Sequence, residues 1–229
     1  MKHLNPPVDT IIRHLAVLPI FSFLSREDLL PLSEKATMIS WDKNEFIFRN
    51  GEQANRLSIL VQGNASIFLI LPDGTQKIIH LISSPSLMGE AACFLGKPWP
   101  AHCQATSEAV TVCIKRDDLL GFVSSYPEIM LKFIGGLYTR LKDFTHIMET
   151  HGQKSAVSRL ASYILGKVDA SGLAVLPAKK NQIANFLGLR PESLSRCLNS
   201  MISAGAISVS GNDIRVIDSD ILETFLTEQ

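Results

Sequence analysis

Excess charge is missing from this chain. Its 22 Lys and Arg balance 22 Asp and Glu, so the formal net charge at pH 7 is zero. Binding a polyanion by bulk charge is thereby excluded, and any nucleic-acid contact must be local. Cysteine is scarce. Cys93, Cys103, Cys113 and Cys197 make no CxxC pair and show no metal-ligand spacing. A disulfide scaffold is not expected, and single scattered thiols point to a reducing compartment. No apolar run reaches the length of a membrane span, because charges or prolines interrupt each one. The segment MKHLNPPVDT lacks an apolar signal stretch. The expectation is a cytoplasmic protein with no membrane partner. Ser, His and Asp are present, yet none sits in a nucleophile elbow or a metal-ligand motif, so no enzyme is expected.

What is present is apolar and patterned. Across 229 residues, 46% are hydrophobic and 19% charged, which suits a globular chain of one large or two modest domains. Residues 1 to about 38 read as mainly helical, with Ile11, Ile12, Leu15 and Leu18 on one side. Ser25 is placed to cap a second helix, with Glu27 and Asp28 in its first turn. From Ser40 to about Lys115 the period becomes two. Strands are expected around Phe46 and Phe48, Leu57 to Val61, Ile67 to Leu71, Lys77 to Ile82 and Ala109 to Ile114. Asn50-Gly51, Gln62-Gly63-Asn64 and Pro72-Asp73-Gly74 mark turns between them. Many short strands with close turns predict a small antiparallel barrel or sandwich. Asp117 to Val123 starts a short helix.

Pro127 to Gly152 is different. Met130, Ile134, Leu137, Leu141, Phe144, Met148 and His151 follow a 4-3-4-3 alternation, a seam that favours two helices packed along their length. Phe133 and Tyr138 are candidates to pack on the barrel instead. Gly135-Gly136 sits oddly within the helix, since each glycine costs up to about 1 kcal/mol relative to Ala. A helix over 153–170, a short strand Leu173 to Leu176, a hairpin at Ile207 to Val209 and Ile214 to Val216, and a last helix at Asp220 to Leu226 complete the chain.

Between them lies Lys179 to Gly205. Ala184 and Gly188 are four apart and Leu194 follows six later. A small residue lets two helices cross closely, and a glycine takes the left-handed turn between them. Pro191 suits the first turn of the second helix. Leu194, Leu198, Met201 and Ile202 are expected to face inward. Glu192, Ser195, Arg196 and Asn199 share the opposite face. Their chemistry matches base edges: Arg196 for guanine, Glu192 for cytosine N4, Ser195 for several bases. Lys179, Lys180, Arg190 and Arg196 stand against Glu192 alone, a basic strip in a neutral chain. Lys179, Lys180, Asn181, Arg190 and Ser193 are the candidates for the phosphate backbone.

The order of parts resembles the cyclic-AMP receptor and fumarate–nitrate-reduction regulator family of bacterial transcription factors, from about Phe21 to Leu226. The matches are Gly51-Glu52, Gly63, Gly89-Glu90, and Leu187 through Arg196, LGLRPESLSR. The resemblance implies an α+β fold: an N-terminal antiparallel β-roll of the cyclic-nucleotide-binding jelly-roll type, a long dimerisation helix and a C-terminal winged helix-turn-helix. Domains are expected at 1–126, 127–152 and 153–229. Glu192, Ser195 and Arg196 fit the Glu-x-x-Ser-Arg pattern of the fumarate–nitrate branch, which implies a TTGAT-like inverted repeat of double-stranded DNA, read by a homodimer. An activator would also touch RNA polymerase. Cyclic-AMP binders of the family place Arg-Ser about eleven residues after Gly-Glu. Lys97 to His102 has no Arg-Ser, so cyclic AMP is not expected. An N-terminal iron–sulfur cluster is not expected either, since no cysteine precedes Cys93. The effector is a small molecule or a gas. Haem, on His3, His14, His80 or His102, and an organic ligand both stay open. Gly89, Glu90, Leu87, Met88, Trp99 and Leu137 are the candidate pocket, with Cys93, Phe94 and Leu95 beside them or simply core. The alternative function is a cyclic-nucleotide module that acts through protein partners.

Overall fold

The computed structural model describes residues 1–151 and 155–226. The chain divides into two compact units, Met1–Thr139 and the residues from Arg140 onward, each taken separately below.

The N-terminal unit begins with a strand, in a stretch expected to be mainly helical. β1 (Lys2–Leu4) pairs antiparallel with β2 (Thr37–Trp41), and α1 (Val8–Ala16) starts only after Pro6-Pro7. Proline explains the break: Pro7 is the N-cap, and the residue before a proline is pushed toward extended backbone. α2 (Arg26–Ser33) carries the expected cap. Ser25 Oγ accepts from the Asp28 N–H at 3.2 Å, and Asp28 Oδ2 accepts from the Ser25 N–H at 2.9 Å. Tyr126 adds its hydroxyl to Asp28 Oδ1 at 2.7 Å.

The roll follows: β3 (Phe46–Phe48), β4 (Arg56–Gln62), β5 (Asn64–Ile70), β6 (Gln76–Ser83), β7 (Ser86–Met88), α3 (Glu90–Leu95), β8 (His102–Ala105) and β9 (Ala109–Lys115). The strands form two antiparallel sheets, ordered β1-β2-β9-β4-β7 and β3-β8-β5-β6. Leu57, Ile59, Leu60, Val112 and Ile114 are fully buried, so β4 and β9 are covered on both faces. One buried polar pair joins β2 to β9: Trp41 Nε1 donates to Thr111 Oγ1 at 2.9 Å. Besides β1, three elements escaped the sequence reading. β7 and β8 are only three and four residues long. α3 is a six-residue helix closed at both ends by left-handed glycines, Gly89 and Gly96.

α4 (Arg116–Ser125) leads to α5 (Glu128–His151), and the division between the units falls inside α5. On α5, Ile129 and Phe133 are buried, and the Phe133 ring lies 4.7 Å from that of Phe94. Tyr138 does not share that face: it is exposed. Ile134, Leu137 and Leu141 of the seam are exposed as well, with Leu131 beside them at 72%. Phe144, Met148 and His151 lie outside the residues whose side chains are described. The helix runs unbroken through Gly135-Gly136, where an added Cβ would meet nothing within 4 Å.

The second unit holds α6 (Ala156–Leu165), β10 (Leu173–Val175), α7 (Lys180–Phe186), α8 (Pro191–Ser203), β11 (Ile207–Ser210), β12 (Asp213–Val216) and α9 (Ser219–Thr224). α6 stops at Gly166, short of the residue 170 expected from the apolar pattern, and β10 joins the hairpin to make a third sheet, β10-β12-β11.

The Ser25–Asp28 cap gives a direct test. Ser25→Ala should cost about 1 kcal/mol in urea unfolding. Hydrogen bonds from Tyr126 and then Ser25 hold the Asp28 carboxyl below its ordinary value. Asp28 therefore contributes stability that is full above about pH 4 and fades as pH falls through the lowered value. Asp28→Asn should flatten that part of the stability–pH curve.

Candidate nucleic-acid interface

The helix-turn-helix is built from its buried side. Ile183 and Ala184 of α7, with Leu187 just after it, meet a core that includes Leu194, Leu198 and Met201 of α8 and Leu160, Ala161 and Ile164 of α6. Gly188 takes the left-handed turn with φ 66°. Its N–H donates to Asn185 O at 3.1 Å and the Leu189 N–H reaches Ala184 O at 2.8 Å, so the last turn of α7 is closed by the turn that leaves it. Pro191 opens α8 at a position that needs no N–H partner. Cys197 also joins the buried face, while Ile202 does not: it is 42% exposed. Its place one residue past Met201 carries it off the inward stripe.

The outer face is polar. Glu192, Ser195, Arg196 and Asn199 are all exposed. Glu192 and Arg196 are spaced for an i, i+4 pair, yet no such salt bridge forms among the described residues. Both charged heads stay available. Ser195 differs. Its Oγ donates to Pro191 O at 3.0 Å, which leaves only acceptor capacity on the hydroxyl. Lys179, Lys180, Asn181 and Arg190 are exposed at the starts of α7 and α8, and Ser193 is half-buried.

One supporting residue was not legible in the spacing. Arg159 on α6 donates from Nη1 to Leu187 O at 3.0 Å, which ties α6 to the turn that sets the angle of α8. It stands among apolar residues of an amphipathic helix, and no local pattern marks it. Ser158 similarly donates to Leu226 O at 2.8 Å and holds the end of α9.

The sensor candidates lie in the N-terminal unit. Gly89 is left-handed with φ 67°, and a Cβ there would sit 2.5 Å from Trp99 Nε1. Trp99 is 2% exposed and stacks on Phe48 at 4.4 Å, with its Nε1 buried and unpartnered. Glu90 is buried at 3%, Met88 fully, and Leu87 partly. The structure thus brings Gly89 and Trp99 into contact but leaves Leu137 37% exposed on α5. Of the histidines proposed for haem, His102 stacks on Phe68 at 5.3 Å and its Nδ1 accepts the Asn50 N–H at 3.3 Å. Burial lowers the pKa of His14. No group of three or more His, Cys, Asp or Glu that could hold a metal ion occurs among the described residues.

Comparison with known proteins agrees with this geometry. Residues 38–126 match the cyclic nucleotide-binding domain, and residues 158–225 match the Crp-like helix-turn-helix domain. The chain belongs to the CRP/FNR family of transcription regulators. As a CRP/FNR protein it binds DNA through its helix-turn-helix, and its relatives are regulators, not enzymes. It is 26% identical to the transcriptional activatory protein AadR of Rhodopseudomonas palustris, over 95% of this chain and 96% of that one. It is 22% identical to a CRP-like cAMP-activated global transcriptional regulator of Mycobacterium tuberculosis, over 91% of this chain and 96% of the relative. Its fold is similar to that of FixK2 from Bradyrhizobium japonicum, with a TM-score of 0.76 at 22% identity, covering 85% of this chain and 98% of that one. No helix among the described residues is long and apolar enough to cross a membrane.

The glycine of the turn is testable. Gly188→Ala places a Cβ in a left-handed conformation and should cost about 1 kcal/mol in chemical denaturation of the full-length protein.

Proposed function

We propose that two copies of this CRP/FNR chain bind a TTGAT-like inverted repeat, with one α8 in each of two major grooves. The observation that carries the reading is the outward face of α8, where Glu192 and Arg196 are exposed and unpaired. Arg196 forks onto guanine O6 and N7, and Glu192 accepts from cytosine N4. Ser195, with its proton already donated, accepts from a base amino group. Asn199 is the outermost base contact. Lys179, Lys180, Asn181, Arg190 and Ser193 hold phosphates and set the register. The exposed apolar stripe of α5, Ile134, Leu137 and Leu141, is the seam between the copies. An unpartnered stripe of that kind is rare on a monomer. The half-sites then lie about one helical turn, roughly 34 Å, apart.

Control comes from an effector held by the β-roll. To move the protein, the effector must bind its DNA-ready state better than the other. Cyclic AMP suits this roll poorly. Lys97 to His102 offers no Arg-Ser pair for the phosphate, and Trp99 fills the space beside Gly89. The unpartnered Trp99 N–H favours an effector that carries an oxygen acceptor. A regulator that works on chromosomal DNA works in the cytoplasm. When it activates, RNA polymerase is its further partner.

Mobility-shift titrations on single-base variants of the repeat test the assignment. Arg196→Ala should weaken the parent site by about 1–3 kcal/mol and relax preference at one base pair. Lys180→Ala should weaken all sequences alike and lower the salt slope by about one. An Arg196→Ala protein with wild-type affinity and preference would overturn the reading.

A further inference from the structure

The N-terminal unit carries a groove in which neither α8 nor the Gly89-Glu90 turn takes part. Its volume is about 770 Å³, inside the range that holds small organic ligands. Strand register explains its wall. His3 lies opposite Ile39, Thr37 opposite Cys113, and Arg56 opposite Lys115. Cross-strand partners share a face, and so do residues two apart on one strand. These six residues therefore project from one side of the five-stranded sheet, and all six line the groove.

The charges on this wall are badly matched to each other. Arg56 and Lys115 face one another directly, and like charges so placed destabilise a ladder. Arg116 follows in sequence, and Lys35 lines the same groove. Two of these cations are already engaged. Lys35 pairs with Asp118 at 3.0 Å. Arg116 donates from Nε to Cys93 O at 2.7 Å and from Nη2 to Phe94 O at 3.2 Å, and Asp117 lies 3.9 Å from its Nη1. Gly96 makes room for that guanidinium: a Cβ there would stand 3.1 Å from Nη2. The other two have no carboxylate partner among the described residues, although the Arg56 guanidinium lies 5.5 Å from the centre of the Trp99 ring. Lys115 makes no salt bridge among the described residues. Arg56 donates from Nη2 to Ile47 O at 3.0 Å, but its Nε is buried with no acceptor. A neutral chain has concentrated positive charge where it also left a donor unmet.

We propose that this groove binds a small organic anion, a carboxylate or phosphate on an apolar body. Arg56 and Lys115 take the anionic group, and Ile39, Ala54 and Leu95 line the space for the body. Binding removes the repulsion across the β4–β9 ladder and supplies the acceptor that Arg56 lacks. The proposal stands apart from the reading of the DNA site and does not depend on it.

Calorimetric titration of the full-length protein at low ionic strength tests it, with sodium octanoate as one probe and inorganic pyrophosphate as the other. At least one should bind saturably, one per chain, and which one binds separates carboxylate from phosphate. Lys115→Glu should weaken that binding about tenfold or more, a change of one charge sign at the contact. Lys115→Gln should weaken it less, and it decides the matter if the charge reversal impairs folding. Lys77→Glu, on β6 away from the groove, should leave the affinity unchanged. Failure of both probes to saturate would overturn the proposal. So would unaltered binding by the Lys115 variants, or equal weakening by Lys77→Glu.

Discussion

Burial of one edge of α8 is the constraint on which the rest depends. Leu194, Cys197, Leu198 and Met201 are sunk against α6 and α7, and a helix so anchored has no freedom to rotate. The left-handed turn at Gly188 and the hydrogen bond from Arg159 to Leu187 fix the angle at which it leaves. Because the helix repeat is 3.6 residues, pinning one edge points Glu192, Ser195, Arg196 and Asn199 the other way. Reading residues on a loosely held helix would lose their geometry as soon as the helix turned. On the proposed reading, the apolar core of the second unit is thus as much a part of recognition as the polar face.

A zero net charge sharpens the same point. The chain draws no general attraction for DNA from its overall charge. Its cations near the recognition helix are few, and one 13-residue helix reaches only a handful of base pairs. A single reading head of this size gives little discrimination against a genome of competing sites. On the proposed reading, pairing two heads through the α5 stripe multiplies the contacts without a new kind of chemistry. On this account the exposed leucines and isoleucine of α5 are functional surface.

Parts of this were legible in the sequence because one local rule dominated there. Gly188 had to be left-handed, Pro191 had to open a helix, and Ser25 had to cap one; each sits where backbone geometry admits few alternatives. The long strands β4, β5, β6 and β9 were legible from their apolar content. β1, β7, β8 and α3 were not, because they are too short to establish a period, and pairing partners far along the chain create them. Ile202 and Tyr138 were misplaced because an apolar residue at the edge of a stripe can fall on either side of the boundary. Arg159 was invisible for another reason. Its partner is a backbone carbonyl 28 residues away, and no spacing on its own helix announces that bond. The sensor was least legible. Gly89, Glu90 and Trp99 were all read as pocket residues, but whether Trp99 packs against Gly89 depends on how the 96–101 loop returns to the sheet.

Recognition of an inverted repeat requires two heads that act together. Sedimentation of the full-length protein with a fluorescent inverted-repeat duplex measures this directly. Two chains per duplex at saturation are predicted, with a duplex carrying one half-site bound far more weakly at the same protein concentration. One chain per duplex, held as tightly on a half-site as on the full repeat, would contradict it.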